Sequence, residues 1–322
     1  MPKIFIDRLG SAGYLPAMQA GFQWLDLGAH LKPGDHVCIK PNLTFPTFRR
    51  GVMTNPECLE SLVVALGDYT SKITIVEADS GGYNRFRIDD VFERIGLNEL
   101  SRRHGVRVLN LSDLPTRSIS VQARGQELSV PLPCLLLDEC DFFMTVPVPK
   151  VHANTVVSLA VKNQWGCIPL PSARLDLHPY FPEVIHAVNQ ALRTSLAVVD
   201  GRFGLTRNGP MLGDVLELNW LMVADDIYAA DWTCCQIMQI DPRKPPYLEY
   251  LRKAGALPPE SSLVFNDDYR KFRRERFYLR RKWTDYPGLI AFHSAAAAYW
   301  GYKSPLAGFF HWLLYLFREP FY

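Results

Sequence analysis

The chain has 322 residues, of which 48% are hydrophobic, 21% charged and 12% aromatic, and its formal net charge is +2. A length of this order gives one large domain or two smaller ones, and burial of roughly three quarters of the unfolded surface makes disulfides unnecessary. The near-neutral balance excludes a chain-wide field for nucleic acid.

The seven cysteines are odd in number and form no C-x-x-C pair. That excludes a zinc ribbon, a thioredoxin motif and an iron–sulfur cluster within this chain. Several lie in apolar runs, where free cysteine behaves as a small core residue. The expected compartment is the reducing cytoplasm. The first ten residues lack the apolar run of a signal peptide, and no run of about 18–20 apolar residues suggests a spanning helix.

Residues 3–7 read as a short strand, 15–31 as a helix and 35–39 as a second strand running into Lys40-Pro41-Asn42. Asn55-Pro56-Glu57 starts a helix to about residue 69, with Asn as N-cap and Pro at the first helical position. Residues 72–77 (KITIVE) form a third strand that closes on Ala78-Asp79-Ser80-Gly81-Gly82. A helix over 88–104 and a strand over 106–111 follow, then a small antiparallel insertion over 119–130. Further strands are expected at 141–148, 196–199 and 215–223, and helices at 158–164, 182–192, 227–238 and 246–254. Strands that alternate with helices build βαβ units and a mostly parallel sheet.

The expected fold is therefore α/β: a mostly parallel sheet with helices on both faces, and a smaller second lobe over 118–200 that contributes to the site. The α/β domain spans 1–257, and a basic, aromatic, helical extension spans 258–322. Its segment 270–282 holds eight basic residues and one acidic one. Leu306, Phe309, Phe310, Leu313, Leu314 and Phe317 then recur at helical spacing. Three readings stay open for this extension: packing back on the domain, homodimerisation, or lying on an anionic membrane surface.

Polar residues cluster where the expected strands end: Lys40 and Asn42, Glu77 and Asp79, Lys150 and His152, Asp200, and Asp225. In an open parallel sheet these ends face one crevice, the usual ligand site. The stretch 148–200 is the richest. A strand ends in Lys150-x-His152, a helical segment carries Lys162 and Asn163, and a polar loop carries His178. A lysine in an otherwise apolar helix points into a crevice or pairs with a carboxylate, because burying its charge alone is costly. Asn208-Gly209-Pro210 offers an anion-binding turn or a plain one. Asp226 reads as a helix N-cap. Gly81-Gly82 does not complete a dinucleotide fingerprint. Cys167 stands near the expected site as a candidate nucleophile or a core thiol.

The motifs IKPNL (39–43), EADSGG (77–82), VPVPKVH (146–152), AVKNQWG (160–166), VVDG (198–201), NGPMLG (208–213) and ADDIYAAD (224–231) resemble the family catalogued as domain of unknown function 362. More distantly, His152, Lys162 and His178 are similar in spacing to a His–Lys–His set of the nickel-pincer lactate racemase family. That resemblance implies His152 as base and Lys162 as the covalent anchor of a nucleotide-derived pincer, with His178 as ligand to nickel. The racemases carry a second catalytic His in a Gly-Thr-His-type turn where this chain has EADSGG, so a one-base chemistry or another cofactor is implied instead.

The sequence reading is an isomerase-like or oxidoreductase-like enzyme acting on a small anionic oxygenated substrate by proton or hydride chemistry. His152, Lys162 and Asp79 are the catalytic candidates, and Lys40, Asn42, Lys150 and Asn163 the substrate contacts. Lys162, Gly209 and Asp200 are cofactor contacts, and His178 and Asp225 metal ligands. The alternatives are a non-catalytic ligand-binding or redox-partner protein, and a peripheral membrane enzyme acting on a lipid-linked substrate.

Overall fold

The apolar runs read as strands assemble into one ten-stranded mixed sheet and a separate hairpin. The computed structural model describes residues 1–80 and 86–317. The strands are β1 (Lys3–Arg8), β2 (Val37–Pro41), β3 (Ile73–Glu77), β4 (Arg107–Asn110), β5 (Thr116–Ala123), β6 (Gln126–Pro133), β7 (Phe142–Val146), β8 (Lys150–His152), β9 (Val156–Ser158), β10 (Leu196–Thr206), β11 (Asp214–Ala224) and β12 (Val264–Phe265).

The sheet order is β12-β1-β11-β10-β7-β2-β3-β4, with β8 paired to β10 and β9 to β8. The run β10-β7-β2-β3-β4 is parallel throughout, with Ile39 opposite Met144 and Ile75. Along each strand alternate residues face opposite sides. Ile39, Ile75, Met144 and Val198 join the helices Leu15–Trp24 and Pro56–Leu66 in one core. Cys38, Val76, Phe143 and Val199 join the helices Phe181–Leu192 and Ile227–Ile237 in a second core. Helices thus cover both faces, as the α/β reading expects.

Three local readings change. The helix expected over 15–31 divides at Asp26, whose φ of 55° is left-handed. The helix expected over 88–104 divides at Gly96, φ 81°. The third change matters more. The strand expected over 215–223 is β11, and it runs antiparallel to β10, with Ala224 opposite Ala197. Its last residue, Ala224, is level with Lys40, since Ala197 is opposite Thr145 and Thr145 opposite Lys40, but β11 reaches that level from the other direction.

The hairpin β5–β6 packs on the helix Phe181–Leu192, where Arg124 bonds Glu183 at 3.0 Å. Asn55 caps its helix by accepting the Glu57 N–H at 3.0 Å, and Asp226 caps the helix Ile227–Ile237 through Ala229 N–H at 2.7 Å. Beyond residue 257 the chain returns to the sheet as β12 and ends in the helices Tyr286–His293, Ala295–Ala298 and Ala307–Tyr315. Gly81 and Gly82 lie outside the described residues.

Candidate active site

Strand β2 turns Lys40 to the same face as Cys38, two residues earlier, and delivers it to the C-terminal edge of the parallel strands. There it meets Glu77, the last residue of β3. The Lys40 ammonium lies 2.9 Å from Glu77 Oε2 and donates also to Pro41 O at 3.0 Å. Glu77 accepts from the Leu43 and Ala78 N–H groups as well. The carboxylate thus ties two strand ends together. A side chain at Gly166 would stand 2.8 Å from Lys40 Cε and 2.9 Å from Glu77 Oε1, so glycine alone lets the backbone pass here.

Around this pair opens a cavity of about 160 Å³, lined by Lys40, Asn42, Glu77, Lys150, His152, Lys162, Asn163, Trp165 and Arg174 among others. Six of the sequence candidates, Lys40, Asn42, Lys150, His152, Lys162 and Asn163, therefore share one space. Besides Lys40, two of them are occupied with the protein itself. Asn163 donates to Lys40 O and Pro41 O at 3.2 Å and to Thr145 Oγ1 at 2.9 Å, so it fixes the Lys40 strand end rather than offering its N–H groups to a ligand. Asn42 Oδ1 accepts from Lys150 Nζ at 3.2 Å, and Val52 O accepts from the same ammonium at 2.7 Å. A lysine has three donors, which leaves one for the cavity.

Lys162 differs from these. The helix Ala160–Asn163 turns it into the cavity, and among the described residues it makes no hydrogen bond or ion pair. Its ammonium faces the Phe181 ring, 5.7 Å from the centroid. Two further polar atoms on the walls are buried without partners, Trp165 Nε1 and Arg174 Nε. Unpaired buried donors are rare and ask for an explanation. Here they point to a ligand with acceptor oxygens. Arg174 also donates to the Asp79 carbonyl oxygen.

The electrostatics follow from this crowding. Among the described residues, four cations line the cavity against one carboxylate, Glu77, and Lys40 already holds that. Burial, then the neighbouring Lys162 and Lys40 charges, bring the Lys150 ammonium down to about 7. Burial, Lys40 and Arg174 bring Lys162 down to about 8. Burial lowers the Arg174 guanidinium to about 10. His152 is held well below its ordinary value by burial and by Lys162 and Lys150.

His152 also makes an informative contact. Its Nδ1 accepts the Asn154 backbone N–H at 3.1 Å. A neutral ring with Nδ1 as acceptor carries its proton on Nε2. In this state His152 presents a donor, not the lone pair that a base needs. The reading of His152 as base is corrected accordingly.

His178 stacks on Trp165, with ring centroids 5.5 Å apart and planes 12° from parallel, and lies 4.7 Å from the Phe292 ring. Burial, Lys162 and Arg174 pull its imidazole down to about 3. It forms the wall behind the cavity, close enough to Lys162 to feel its charge. Gly209 lies beside His152 in an adjoining crevice, packed so closely that a Cβ would fall 1.8 Å from Val151 O. Its carbonyl accepts the Ala153 N–H at 3.0 Å, and the cis-linked Pro210 has no N–H. The turn shapes the wall and offers little to an anion.

Three candidates lie elsewhere. Asp225 follows β11, accepts the Lys3 N–H at 2.7 Å beside β1 and does not line the cavity. It and His178 belong to no group of three metal-ligating side chains among the described residues. Asp200 faces the other core, where it accepts from Tyr14 Oη and the Asn55 N–H at 2.7 Å each, so it is not a cofactor contact. Asp79 is turned out of the cavity to accept the Ile88 N–H at 2.8 Å and Asn110 Nδ2 at 3.2 Å. Its carboxylate holds the loop and is not a catalytic group. Cys167 is buried, and burial pushes its thiol up to about 12, the behaviour of a core thiol rather than a nucleophile.

Sequence reasoning passed over Arg174 and Trp165, and gave Glu77 no role. Arg174 precedes His178 by four residues on a short helix, Pro171–Leu177, so the two share a face. That spacing was the available signal.

No group of three His, Cys, Asp or Glu side chains converges among the described residues. The described residues therefore do not by themselves make a metal site of three side chains. What the cavity offers is the Lys162 amine; behind its Trp165 wall lies an imidazole without a hydrogen-bond partner among the described residues, His178.

A family model described as a domain of unknown function (DUF362) matches residues 37–236. The thylakoid-associated protein sll1697 of Synechocystis sp. is 26% identical over 247 residues, 74% of each chain. The lactate racemase apoprotein from Thermoanaerobacterium thermosaccharolyticum aligns with a TM-score of 0.46 at 11% identity, over 73% of this chain and 56% of that one. A protein from Thermotoga maritima aligns with a TM-score of 0.39 at 12% identity, over 65% of this chain and 54% of that one. The alignments with the two solved structures thus span little more than half of their lengths.

Proposed function

Because the chain belongs to the domain of unknown function 362 family, a membership that names no activity, we propose its function from the cavity itself: binding of a small oxygenated anion and proton transfer upon it. The observation that carries this reading is the charge count. Lys40, Lys150, Lys162 and Arg174 line the space with Glu77 as the one carboxylate among its described residues, and Glu77 is taken by Lys40. Such a site favours a carboxylate or phosphate, whose oxygens would satisfy Arg174 Nε, Trp165 Nε1 and the free Lys150 proton.

Within this reading Lys162 is the acid–base group. An amine near pH 8 is present in both forms at neutral pH, which suits proton transfer. His152 Nε2–H donates to the substrate oxygen where charge develops. Glu77 holds Lys40 and the strand ends in place. Lys162 also fits a cofactor that would be bonded to its amine and bring its own ligands to a metal such as nickel, with His178 held behind the Trp165 wall. When bound, such a group supplies a hydride acceptor.

The test is calorimetric titration with a panel of small hydroxycarboxylates and inorganic phosphate, with solvent-deuterium uptake followed by mass spectrometry. Binding that weakens at least about tenfold in Lys162→Met, the loss of one charged hydrogen bond, together with deuterium uptake in the wild type, supports the proposal. Binding without uptake leaves a ligand-binding protein and ends the catalytic half. No binding by any anion ends both halves.

A further inference from the structure

The C-terminal helices carry an apolar face that nothing among the described residues covers. On the helix Ala307–Tyr315 and just beyond it, Phe309, Trp312, Leu313 and Leu316 recur at i, i+3, i+4 and i+7 and are 56%, 59%, 42% and 59% exposed. Trp283, Tyr286, Tyr299 and Trp300, from the preceding segments, are each at least half exposed too. Packing back on the domain, one of the sequence readings, fails for five of its six residues. Leu306, Phe309, Phe310, Leu313 and Phe317 are exposed, and Leu314 alone is half-buried.

A contiguous exposed patch of this size marks an interaction surface, and its chemistry selects the partner. Tryptophan and tyrosine are the residues of membrane–water interfaces. Beside them, Arg274, Arg276, Arg280 and Lys282 are exposed, and their side chains make no hydrogen bond or ion pair among the described residues. The apolar and basic parts adjoin. Lys282 and Phe317 line one crevice, and the Trp283 and Phe317 rings are 5.1 Å apart. From 270 to 317 the chain holds nine basic and two acidic residues, although its net charge is only +2. No helix among the described residues is long and apolar enough to cross a membrane.

We infer that this face docks on the surface of an anionic bilayer, with the aromatics in the headgroup layer and the arginines against lipid phosphates. The inference is independent of the anion-binding proposal, since none of these residues lines the cavity. It does bear on access. A crevice lined by His152, Asn208, Gly288 and Tyr302 runs from the cavity side to the C-terminal helices.

The experiment is co-sedimentation of the full chain with phosphatidylcholine vesicles, with and without phosphatidylglycerol. Binding is expected only with phosphatidylglycerol, and it should weaken with salt. It should fall roughly fivefold for each charge removed in Arg274→Gln, Arg276→Gln and Arg280→Gln. The double variant Phe309→Ser/Trp312→Ser should lose binding while keeping its melting temperature. Equal sedimentation with both vesicle types, or none with either, overturns the inference. So does a wild-type dimer in lipid-free ultracentrifugation that becomes a monomer in the double variant without any vesicle binding, since the face would then join two copies of the chain.

Discussion

Lys40 Nζ lies 2.9 Å from Glu77 across the cavity floor, and the two side chains are only 2% and 5% exposed. A buried pair of this kind contributes little net stability against an apolar replacement, but removing one partner leaves a charge with nothing to offset its desolvation. Glu77→Ala should therefore lower unfolding stability by roughly 3–5 kcal/mol in urea titration. Lys40→Met combined with Glu77→Leu should cost much less than the single change. A single variant within about 1 kcal/mol of the wild type would mean that the pair behaves like an exposed one.

Lys150 gives the protein a stability slope in alkali. Its ammonium titrates at about 7 in the folded chain, against roughly 10.4 when unfolded. Between those values the unfolded chain holds the proton and the folded chain does not. Stability therefore rises with pH across that window, by at most about 1.4 kcal/mol per unit from this group, and is flat below it. Lys162 adds to the slope above about 8. Denaturant titrations at stepped pH should show the rise in the wild type and a smaller one in Lys150→Met. An unchanged slope in the variant assigns it to other groups.

Anion affinity should move the opposite way. The proposed ligand is held best by protonated Lys162, so affinity should fall as pH rises through about 8. Calorimetry across that range should show the decline in the wild type and a smaller one in Lys162→Met, where only Lys150, which titrates at about 7, still loses its charge. A wild-type affinity that holds steady from neutral pH into alkali would remove Lys162 from the anion contacts.

Much of the site was legible because strand ends of a parallel sheet converge. Lys40, Asn42, Lys150, His152, Lys162 and Asn163 meet in one cavity for that reason. Asp200 and Asp225 were misplaced for a related one. The expected strand over 196–199 stops early, whereas β10 continues to Thr206 and leaves only residues 207–213 before β11. So short a link makes a hairpin, since a parallel crossover needs a dozen residues or more. With β11 antiparallel, the chain reaches Asp225 from the other direction, and its carboxylate meets the Lys3 N–H beside β1. The alternation of β10 puts Asp200 on the face of Val198, where Tyr14 waits. Gly96, by contrast, was a readable break in the helix expected over 88–104. The unpaired donors of Arg174 and Trp165 had no sequence signature, because burial without a partner is a property of the assembled walls.

His152 offers the sharpest test of how the cavity works. Its Nδ1 takes the Asn154 N–H at 3.1 Å, and burial with two nearby ammonium groups disfavours a second proton on the ring. The ring should then stay neutral with its proton on Nε2 well below the ordinary histidine value near 6.5. Nitrogen-15 chemical shifts of the labelled ring, followed from neutral pH into acid, read the tautomer directly. His152→Gln keeps an N–H donor at a similar reach and should retain more anion affinity than His152→Ala. A ring that protonates near its ordinary value, with Gln and Ala equally damaging, would return His152 to the role of base and assign the donor to another group.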